Sequence, residues 1–256
     1  MSKILVLDIE TSPNLAYIWG LRNQFIGINQ LVESSEMLCW AAKWKGEDAT
    51  MTSSQFHNGK TEMVKAIHSL LEEADTVVTF NGERFDLPIL NQEFLFAGLK
   101  PPKPYMSVDL YRTVSRRFRT PSNKLDYWLK RLGIEGKADT GGFELWVGCL
   151  NNDPVAWKHM VEYNVTDVVR TEQLLDRLLP WIPHMPMETP TVNVETGEVQ
   201  VTCSCGSTHI QRRGHKRTAS GLYYRQYQCQ KCGKWFRERT NDKEIVKSPL
   251  VHAGQI

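Results

Sequence analysis

The alternation of hydrophobic and polar residues predicts strands at the start of the chain and helices after them. Residues 3–10 alternate as a β-strand, and the apolar segments 37–44 and 49–56 can pair with that strand as an antiparallel meander. Residues 60–73 have helical spacing, and residues 76–80 form a short strand of the buried type that runs into Asn-Gly. This mixture of strands and helices predicts an α/β fold.

Helices are predicted to dominate the region that follows. A helix is expected over about residues 86–98, an extended piece over 105–110 and a short helix over 124–132. Pro154 begins a longer helix, because proline suits the first helical turn and apolar residues then recur at helical spacing. Those apolar residues are Trp157, Met160, Val161, Val165, Val168, Leu174, Leu175 and Leu178.

Proline and a change of composition divide the chain after this helix. Residues 181–200 are rich in proline and have no hydrophobic period, which is typical of a linker. We therefore predict one domain over residues 1–180, a linker over 181–200, a small module over 201–240 and a flexible tail over 241–256.

Charge is distributed unevenly between these parts. The whole chain has a net charge of +2, but residues 201–256 contain 11 Lys/Arg and 3 Asp/Glu, whereas residues 1–200 contain 20 and 26. A basic module joined to an acidic body indicates that the module touches a polyanion and that the body holds divalent cations. A solvated basic surface would give the same composition.

The apolar runs and the cysteines bear on where the protein works. No apolar run approaches the length of a membrane span and no signal segment follows Met1, so we expect a cytoplasmic protein without a membrane partner. Cys39 and Cys149 stand alone, and we expect Cys39 in the core or at an interface. The other four cysteines fall in two close pairs, a pattern typical of a metal site rather than of disulfides.

Two acidic residues interrupt the first predicted strand. Asp8 and Glu10 are two positions apart, so they share one face of the strand. Burial of an unpaired carboxylate is unfavourable, so the pair needs a cation, a partner or solvent. A metal site and an exposed strand end, with Glu10 and Thr11 starting a loop, are both compatible with this pattern.

Two further groups of residues could carry chemistry. Asn81, Phe85 and Asp86 lie where a strand gives way to a helix, and Asp86 could simply be a helix N-cap. Tyr163 and Asp167 are four residues apart, hence one turn apart on one helix face. A tyrosine at the border of an amphipathic helix and a solvated aspartate would explain that second pair equally well.

Together the three groups resemble the exonuclease motifs of the DEDD superfamily. The sequences DIET, N-x-x-x-F-D and Y-x-x-x-D occur in the family's order, and Tyr163 corresponds to the tyrosine of the DEDDy subgroup. The likeness extends over residues 3–180, and the wording NGERFDLPIL is similar to family B polymerase proofreading domains and to phage-encoded exonucleases. It implies a ribonuclease H-like fold, with a mixed five-stranded sheet flanked by helices.

The resemblance also implies a site for two Mg²⁺ or Mn²⁺ ions. Two divalent ions about 4 Å apart can activate the attacking water and stabilise the leaving oxygen of a phosphodiester, and hard cations prefer carboxylate oxygens. The residues implied as ligands are Asp8, Glu10, Asp86 and Asp167, with Asp8 bridging both ions and Asp86 acting through bound water. The residues implied to seat the terminal nucleotides are Thr11 (through its backbone), Asn81 and Phe85, although we favour a core position for Phe85.

Tyr163 is expected to orient the attacking water. A phenol with an ordinary pKa of about 10 is a poor general base near neutral pH. In the histidine-type subgroup the base lies five residues before the final aspartate, where this chain has Glu162, so His159 is not expected to replace the tyrosine. Caps or surface positions explain Asp109 and Asp126.

The paired cysteines resemble the zinc ribbons of some transposases. Each second cysteine is followed by glycine, and four thiolates would give one Zn²⁺ a closed, structural site. The first pair departs from the usual C-x-x-C, because Thr202 stands where a cysteine is expected; a distorted turn, or His209 or His215, could complete the set. The expected ligands are Cys203, Cys205, Cys229 and Cys232.

Cations and aromatic residues alternate between the two cysteine pairs. Such surfaces bind phosphates and stack on bases, which predicts a nucleic-acid contact; protein docking is the alternative. Tyr227 and Phe236 are expected to form the small core instead. The predicted contacts are Arg212, Arg213, Lys216, Arg217, Tyr224 and Arg225.

The sequence therefore predicts a metal-dependent 3′-to-5′ exonuclease that acts on DNA and carries a zinc ribbon. The alternatives are a 3′-to-5′ exoribonuclease and a non-catalytic protein that binds or recruits nucleic acid. DNA is expected as partner rather than RNA, together with a polymerase or another replication protein. If a phage encodes the chain, the expected location is the host cytoplasm.

Overall fold

The computed structural model describes residues 3–136, 141–182, 185, 191–192 and 199–237. The chain divides into two compact units, one that extends to Asp176 and one that begins at Arg177. The boundaries predicted at residues 180, 200 and 240 stay predictions, and the predicted tail lies outside the described residues.

A mixed five-stranded sheet forms the centre of the first unit. Its strand order is β5-β4-β1-β6-β7, with β4 antiparallel to β1 and β5, and with β6 parallel to β1 and β7. A short antiparallel ribbon of β2 and β3 lies outside this sheet. The strands are β1 (Ile4–Thr11), β2 (Leu15–Ala16), β3 (Leu31–Glu33), β4 (Met37–Trp44), β5 (Met51–Ser54), β6 (Thr76–Thr79) and β7 (Met106–Asp109).

Helices flank this sheet and bury their apolar faces against it. Leu5, Leu7 and Ile9 of β1 lie in one buried cluster with apolar residues of α2 and α3. A second cluster joins Leu38 and Cys39 of β4 to α6 and α7. The helices are α1 (Gln55–Asn58), α2 (Lys60–Glu73), α3 (Asp86–Phe96), α4 (Leu110–Arg117), α5 (Leu125–Arg131), α6 (Glu144–Leu150) and α7 (Pro154–Leu178).

The fold class and most of the predicted elements are confirmed. The meander of β1, β4 and β5 is present, and α2 and α7 have the predicted bounds. The strand predicted over 49–56 is shorter, because Ser54 accepts a hydrogen bond from His57 N (3.1 Å) and so caps α1. The hydrophobic pattern did not predict α4, α6 or the β2–β3 ribbon.

The second unit contains a three-stranded antiparallel sheet in the order β10-β11-β12. Tyr227 and Phe236 stack across β11 and β12 with ring centres 5.7 Å apart. Both side chains are only half-buried, so they do not form the buried core that was predicted. A two-stranded pairing, β8 with β9, falls within the predicted linker, most of which lies outside the described residues. The strands are β8 (Thr191–Val192), β9 (Val199–Gln200), β10 (Ile210–Arg217), β11 (Tyr223–Cys229) and β12 (Trp235–Arg237).

Across the described ranges, every helix is either too short or too polar to cross a membrane.

Candidate active site and cysteine cluster

The carboxyl ends of three parallel strands create the site. β1, β6 and β7 run in the same direction, so their ends meet at one edge of the sheet. β1 carries Asp8 and Glu10 towards that edge, β6 leads into Asn81, and β7 ends at Asp109. Polar groups from distant parts of the sequence are therefore brought to one edge of an otherwise apolar sheet.

Three carboxylates converge at this edge. One oxygen from each of Asp8, Glu10 and Asp167 lies within 4.8 Å of the other two. Asp167 is buried on α7, and three like charges at this separation repel one another unless a cation compensates them. Because carboxylate oxygens are the donors that Mg²⁺ and Mn²⁺ prefer, this donor set fits the predicted ions.

Asn164 connects α7 to the first of these carboxylates. Its Nδ2 donates a hydrogen bond to Asp8 Oδ2 (2.7 Å), and its Oδ1 lies 3.9 Å from the thiol of Cys39. The side chain is fully buried, so the amide has a fixed orientation. No motif in the sequence marks this residue, although its position three residues before Asp167, on the same helix face, is a signal that could have indicated it.

Asp86 begins α3 and contacts the backbone of β1 between Asp8 and Glu10. It is buried, and its Oδ1 accepts a hydrogen bond from Ile9 N (3.1 Å) in β1. Phe85 occupies the N-cap position, so the interpretation of Asp86 as an N-cap is wrong. Burial raises the pKa of Asp86, and the charge of Asp109 raises it as well. The N–H groups of Ile9 and of Asp86 itself lower it, and the net pKa is about 7. Its carboxylate is not part of the three-carboxylate group.

A tight turn follows β6 and presents Asn81 and Phe85. Asn81 has a φ of 70°, a left-handed conformation that asparagine tolerates. A Cβ at Gly82 would lie 2.3 Å from Thr79 Oγ1, so only glycine fits this position. Phe85 is 42 % exposed, so its predicted core position is wrong. Phe85 is not among the residues that line the cavity beside the carboxylates, whereas Asn81 is.

Asp109 holds this turn in place from the neighbouring strand. Its Oδ1 accepts hydrogen bonds from Asn81 N (2.8 Å) and Tyr111 N (2.9 Å), and Glu83 N lies 3.3 Å from its Oδ2. The predicted role as a helix cap is confirmed for α4. A surface position is wrong for this residue, because its side chain is buried and joins β7 to the turn that carries Asn81.

A cavity of about 540 Å³ opens beside the carboxylates. This volume is in the range that holds small ligands. Its wall includes two cationic residues, Arg84 and Lys124, as well as acidic ones. Positive and negative groups in one cavity suit a phosphate held next to cations. The lining residues are Asp8, Phe80, Asn81, Arg84, Tyr111, Lys124, Leu125, Asp126 and Asp167.

The remaining predicted residues of this site lie on the same elements. Tyr163 is largely buried on α7, one turn before Asp167. Thr11 ends β1, and its carbonyl oxygen accepts a hydrogen bond from Trp146 Nε1 (3.1 Å). Asp126 forms an ion pair with Lys130 (2.8 Å), as expected for a surface residue.

The four paired cysteines form one cluster in the second unit. Their sulfur atoms lie within 4.8 Å of one another, and the Sγ atoms of Cys203 and Cys232, and of Cys205 and Cys229, are 3.7 Å apart. Tetrahedral zinc with Zn–S bonds of about 2.3 Å separates its sulfur ligands by about 3.8 Å, so the donors fit Zn²⁺. His209 and His215 are not members of this cluster, and the C-x-C pair supplies both of its thiols.

The thiols of the cluster differ in their electrostatics, because burial raises the pKa of Cys203 and of Cys232. Burial raises the pKa of the Cys229 thiol, but the N–H groups of Cys232 and Lys231 and neighbouring thiols lower it, to about 7 overall. Zinc binds the thiolate form, and a pKa of about 7 means that much of Cys229 is thiolate near neutral pH.

The predicted nucleic-acid contacts of this unit lie on one hairpin. Lys216 of β10 pairs with Tyr224 of β11, and His215 pairs with Arg225. The guanidinium of Arg237 lies 4.0 Å from the centre of the Tyr224 ring, a cation–π contact. Arg212, Arg213, Lys216 and Arg217 lie on β10, and Tyr224 and Arg225 lie on β11.

Known proteins share this fold. The family model described as RNase_H superfamily matches residues 32–179, more than half of the chain. Asp8 and Glu10 precede the matched range, and the sheet brings them to Asp167 within it. No curated protein matches the chain in sequence.

Two solved structures are similar to the chain at low sequence identity. The family B DNA polymerase from the hyperthermophilic archaeon Pyrobaculum calidifontis is 19% identical over 70% of this chain and 25% of its own, with a TM-score of 0.52. The RNase D of Trypanosoma brucei is 18% identical over 68% of this chain and 56% of its own, with a TM-score of 0.40. The chain thus spans about a quarter of the polymerase, whose likeness indicates a shared fold.

Proposed function

The chain belongs to the RNase_H superfamily, and from that premise we propose that it is a metal-dependent 3′-to-5′ exonuclease of the DEDDy type that hydrolyses DNA. The observation that carries this proposal is the convergence of Asp8, Glu10 and Asp167 within 4.8 Å beside a cavity whose wall also includes two cationic residues. A binding protein has no need of three mutually repelling carboxylates at a cavity, whereas metal-dependent hydrolysis does.

The carboxylates would hold the divalent ions, and the other residues would position the substrate. Asp8, Glu10 and Asp167 are the direct ligands that we propose, with Asp86 acting through water. When bound, two Mg²⁺ or Mn²⁺ ions make an attacking water more acidic and stabilise the charge on the leaving 3′ oxygen. The hydroxyl of Tyr163 orients that water by hydrogen bonding.

The neutral and cationic residues of the cavity complete the proposed site. Arg84 and Lys124 line the cavity, where their charges would attract the phosphates of the terminal nucleotides. Asn81, Phe85 and the backbone at Thr11 seat the terminal bases and sugars. The choice of DNA rests on the resemblance of residues 81–90 to the proofreading domains of family B polymerases. We propose a separate polymerase or another replication protein as partner on the same ground.

The second unit would bind nucleic acid. Four cysteines would hold one structural Zn²⁺, which supplies the folding energy that few apolar residues can provide. The hairpin of β10 and β11 presents cations and aromatic rings, which bind phosphates and bases. A second nucleic-acid contact on the same chain raises the local concentration of substrate.

An exonuclease assay tests the proposal. Purified protein is incubated with 5′-labelled single-stranded DNA, duplex DNA and RNA of one sequence in Mg²⁺, Mn²⁺ or EDTA. We expect a ladder that shortens from the 3′ end with either metal and not with EDTA. Faster hydrolysis of RNA would replace the proposal by the exoribonuclease alternative. Binding of strands that never shorten would favour the recruitment alternative.

Three variants connect the activity to the site. Asp8→Ala and Asp167→Ala should abolish activity, whereas Tyr163→Phe should reduce it by roughly 10- to 100-fold, the range for groups that act by orientation. Asp176→Ala is the matched control, because Asp176 is half-exposed and pairs with Lys45 (2.8 Å). Equal losses in Tyr163→Phe and Asp8→Ala would contradict the role assigned to the tyrosine.

A further inference from the structure

A loop between β1 and β4 exposes large aromatic side chains. We call residues 13–34 the aromatic loop. Tyr17, Trp19 and Phe25 are 78%, 98% and 94% exposed. So many exposed apolar side chains in one segment are uncommon in a protein that functions alone and indicate a binding site. The loop also exposes Leu15, Ile18, Leu21, Ile26, Ile28 and Val32.

Hydrogen bonds hold the aromatic loop in a defined conformation. Tyr17 N donates to Gln30 O (2.9 Å), and Gln30 Nε2 donates back to Tyr17 O (2.9 Å). Gly27 N donates to Gln30 Oε1 (2.9 Å). Nearer the sheet, Ser35 N donates to Asn14 Oδ1 (2.8 Å). Tyr17 therefore adjoins the ribbon of β2 and β3, and Trp19 and Phe25 lie in the segment that this ribbon closes.

The aromatic loop leaves the sheet at the edge that carries the carboxylates. In the ladder between β1 and β4, Glu10 is opposite Cys39 and Thr11 is opposite Met37. The next residue, Ser12, donates through its backbone N–H to Glu36 O (2.8 Å), which closes the neck of the loop. The loop is thus the continuation of the strand that presents Asp8 and Glu10.

The composition of the aromatic loop suits a polyanionic partner with flat rings. Arg22 is the one charged residue between Pro13 and Val32. This segment has no acidic residue, although residues 1–200 as a whole contain 26. After Pro13, the first acidic residues along the chain are Glu33 and Glu36, and Glu36 forms an ion pair with Lys60 (3.1 Å). A phosphate backbone would meet no repelling charge here. The loop also contains Asn23 and Asn29, whose side-chain amides can form hydrogen bonds with bases.

We propose that the aromatic loop stacks on the unpaired bases of a nucleic-acid strand whose 3′ end lies at the carboxylates. This proposal rests on the proposed function. Tyr17, Trp19 and Phe25 are the stacking residues, since every base offers a face to an aromatic ring. The nine residues from Glu10 to Trp19 span at most about 32 Å, so the loop contacts the nucleotides nearest the 3′ end. Bases within a duplex are already stacked, so the loop selects single strands.

Binding measurements on the full chain test this proposal. Trp19→Ala/Phe25→Ala is compared with the parent in an Asp8→Ala background, using fluorescence anisotropy with a labelled single strand and a blunt hairpin. We expect Kd for the single strand to rise by about 5- to 150-fold, the range for loss of base stacking. Kd for the hairpin should change little. The salt dependence of Kd should not change, because stacking releases no counterions.

Matched variants separate stacking from general loss of apolar surface. Leu95→Ala/Phe96→Ala removes two comparably exposed side chains at the end of α3 and should leave Kd unchanged. Equal thermal melting temperatures establish that each variant is folded. Equal loss of single-strand and hairpin binding would overturn the proposal. So would a change of sedimentation coefficient in Trp19→Ala/Phe25→Ala, because that result would make the loop a protein interface.

A minimal substrate distinguishes failure of this proposal from failure of the proposed function. The p-nitrophenyl ester of thymidine 5′-monophosphate has no upstream nucleotides for the loop to contact. With Asp8 restored, the protein and Trp19→Ala/Phe25→Ala should hydrolyse it at the same rate, while hydrolysis of a single strand falls in the variant. If neither substrate is hydrolysed, the proposed exonuclease function is rejected. The proposal for the aromatic loop is then decided by the Kd measurements alone. Undiminished hydrolysis of single strands would reject the loop proposal alone.

Discussion

Asn164 is the residue through which α7 fixes the orientation of Asp8. Its amide donates to Asp8 Oδ2 at 2.7 Å, and it is fully buried one residue after Tyr163. A hydrogen bond to one carboxylate oxygen holds the other oxygen in a defined direction. Partners of this kind, which orient metal ligands without touching the metal, commonly matter as much for affinity as one ligand does.

Replacement of Asn164 should therefore weaken metal use more than folding. Asn164→Leu keeps the volume and removes the donor. We expect the concentration of Mg²⁺ or Mn²⁺ needed for half-maximal activity to rise by roughly 10- to 100-fold, with activity recovered at high metal concentration. Glu162→Gln, at an exposed position on the same helix, is the control. Loss of activity that excess metal does not restore would contradict this role.

Asp86 makes the stability of the protein depend on pH. Burial raises its pKa from an ordinary 3.8 to about 7. A group whose folded pKa is raised favours the folded state while it is protonated in both states, below about pH 4. That contribution is lost as the pH rises towards 7, because the unfolded chain ionises first. At alkaline pH the ionised carboxylate destabilises the fold.

Asp86→Asn should consequently stabilise the metal-free protein at about pH 8 and have little effect at about pH 4. The amide is neutral at both pH values and retains an oxygen that can accept from Ile9 N. Thermal melting in EDTA measures the difference, and Asp126→Asn is the control at an ion-paired surface position. The same shift in melting temperature at both pH values would show that ionisation of Asp86 is not the cause.

Spacing in the sequence locates the acidic residues of the site but not the groups that hold them. Asp8, Glu10 and Asp167 come together because a strand end and a helix face have fixed periods, which the sequence displays. The role of Asn164 depends on how α7 packs against β1, and no local pattern specifies that packing. Phe85 illustrates the converse, since its apolar character suggests the core while the turn after β6 turns it outward.

At the scale of elements, Asp109 couples β7 and α4 to the turn that follows β6. One carboxylate accepts from Asn81 N and from Tyr111 N, so the helix start and the turn share a single anchor. Burial raises the pKa of Asp109, and the N–H groups around it lower that pKa. The position of Asn81 in the cavity wall thus depends on a residue of the next strand.

Asp109→Asn should disturb both the turn and substrate binding. The side-chain amide of asparagine would place an N–H group opposite the backbone N–H groups of the turn, so one of these donors would lose its acceptor. An unsatisfied buried group costs about 1–3 kcal/mol. We expect a lower melting temperature, by about 2–4 °C for each kcal/mol, and a larger effect on KM than on kcat. Asp126→Asn, also at the cavity wall, serves as the comparison. An unchanged KM with a lowered melting temperature would restrict Asp109 to a structural role.

The pattern of apolar residues predicts the helices and strands that bury a continuous row of apolar side chains. It misses the elements that bury few such side chains. α2 has the predicted bounds because its buried residues Met63, Ile67 and Leu71 recur at helical spacing. α4 was missed because it buries only Leu110 and Val114 and begins directly after β7, with Asp109 as its cap. The pattern predicted no strand in the aromatic loop, because the apolar residues of the loop face solvent and therefore do not follow the period of a buried element.

At the scale of the whole molecule, the basic module depends on its cysteine cluster for a core. Over residues 201–237, the most buried side chains are those of Cys203, Cys229, Lys234 and Thr202. Burial lowers the pKa of Lys234, while the charges of the nearby thiols raise it, and its Nζ donates to Ser204 Oγ (3.0 Å). A buried lysine beside four cysteines suits a zinc centre whose four thiolates leave a net negative charge.

Disruption of the cluster should therefore unfold the module and weaken binding of long strands without preventing hydrolysis. In the full chain, Cys232→Ser should lower the zinc content from one ion per chain, because a closed tetrahedral site needs every thiolate. Kd for a long strand should rise and lose part of its salt dependence, since Arg212, Arg213 and Lys216 would no longer be presented together. Hydrolysis of the p-nitrophenyl ester should continue at the original rate.

Cys149→Ala provides the comparison, because Cys149 is buried in the first unit and lies apart from the cysteine cluster. It should leave both the zinc content and the salt dependence unchanged. If Cys232→Ser loses zinc yet binds long strands as before, the basic residues act without a folded module, and their charge alone attracts the strand. If the ester is no longer hydrolysed either, the zinc centre supports the fold of the first unit as well, and the two units cannot be treated as independent in function.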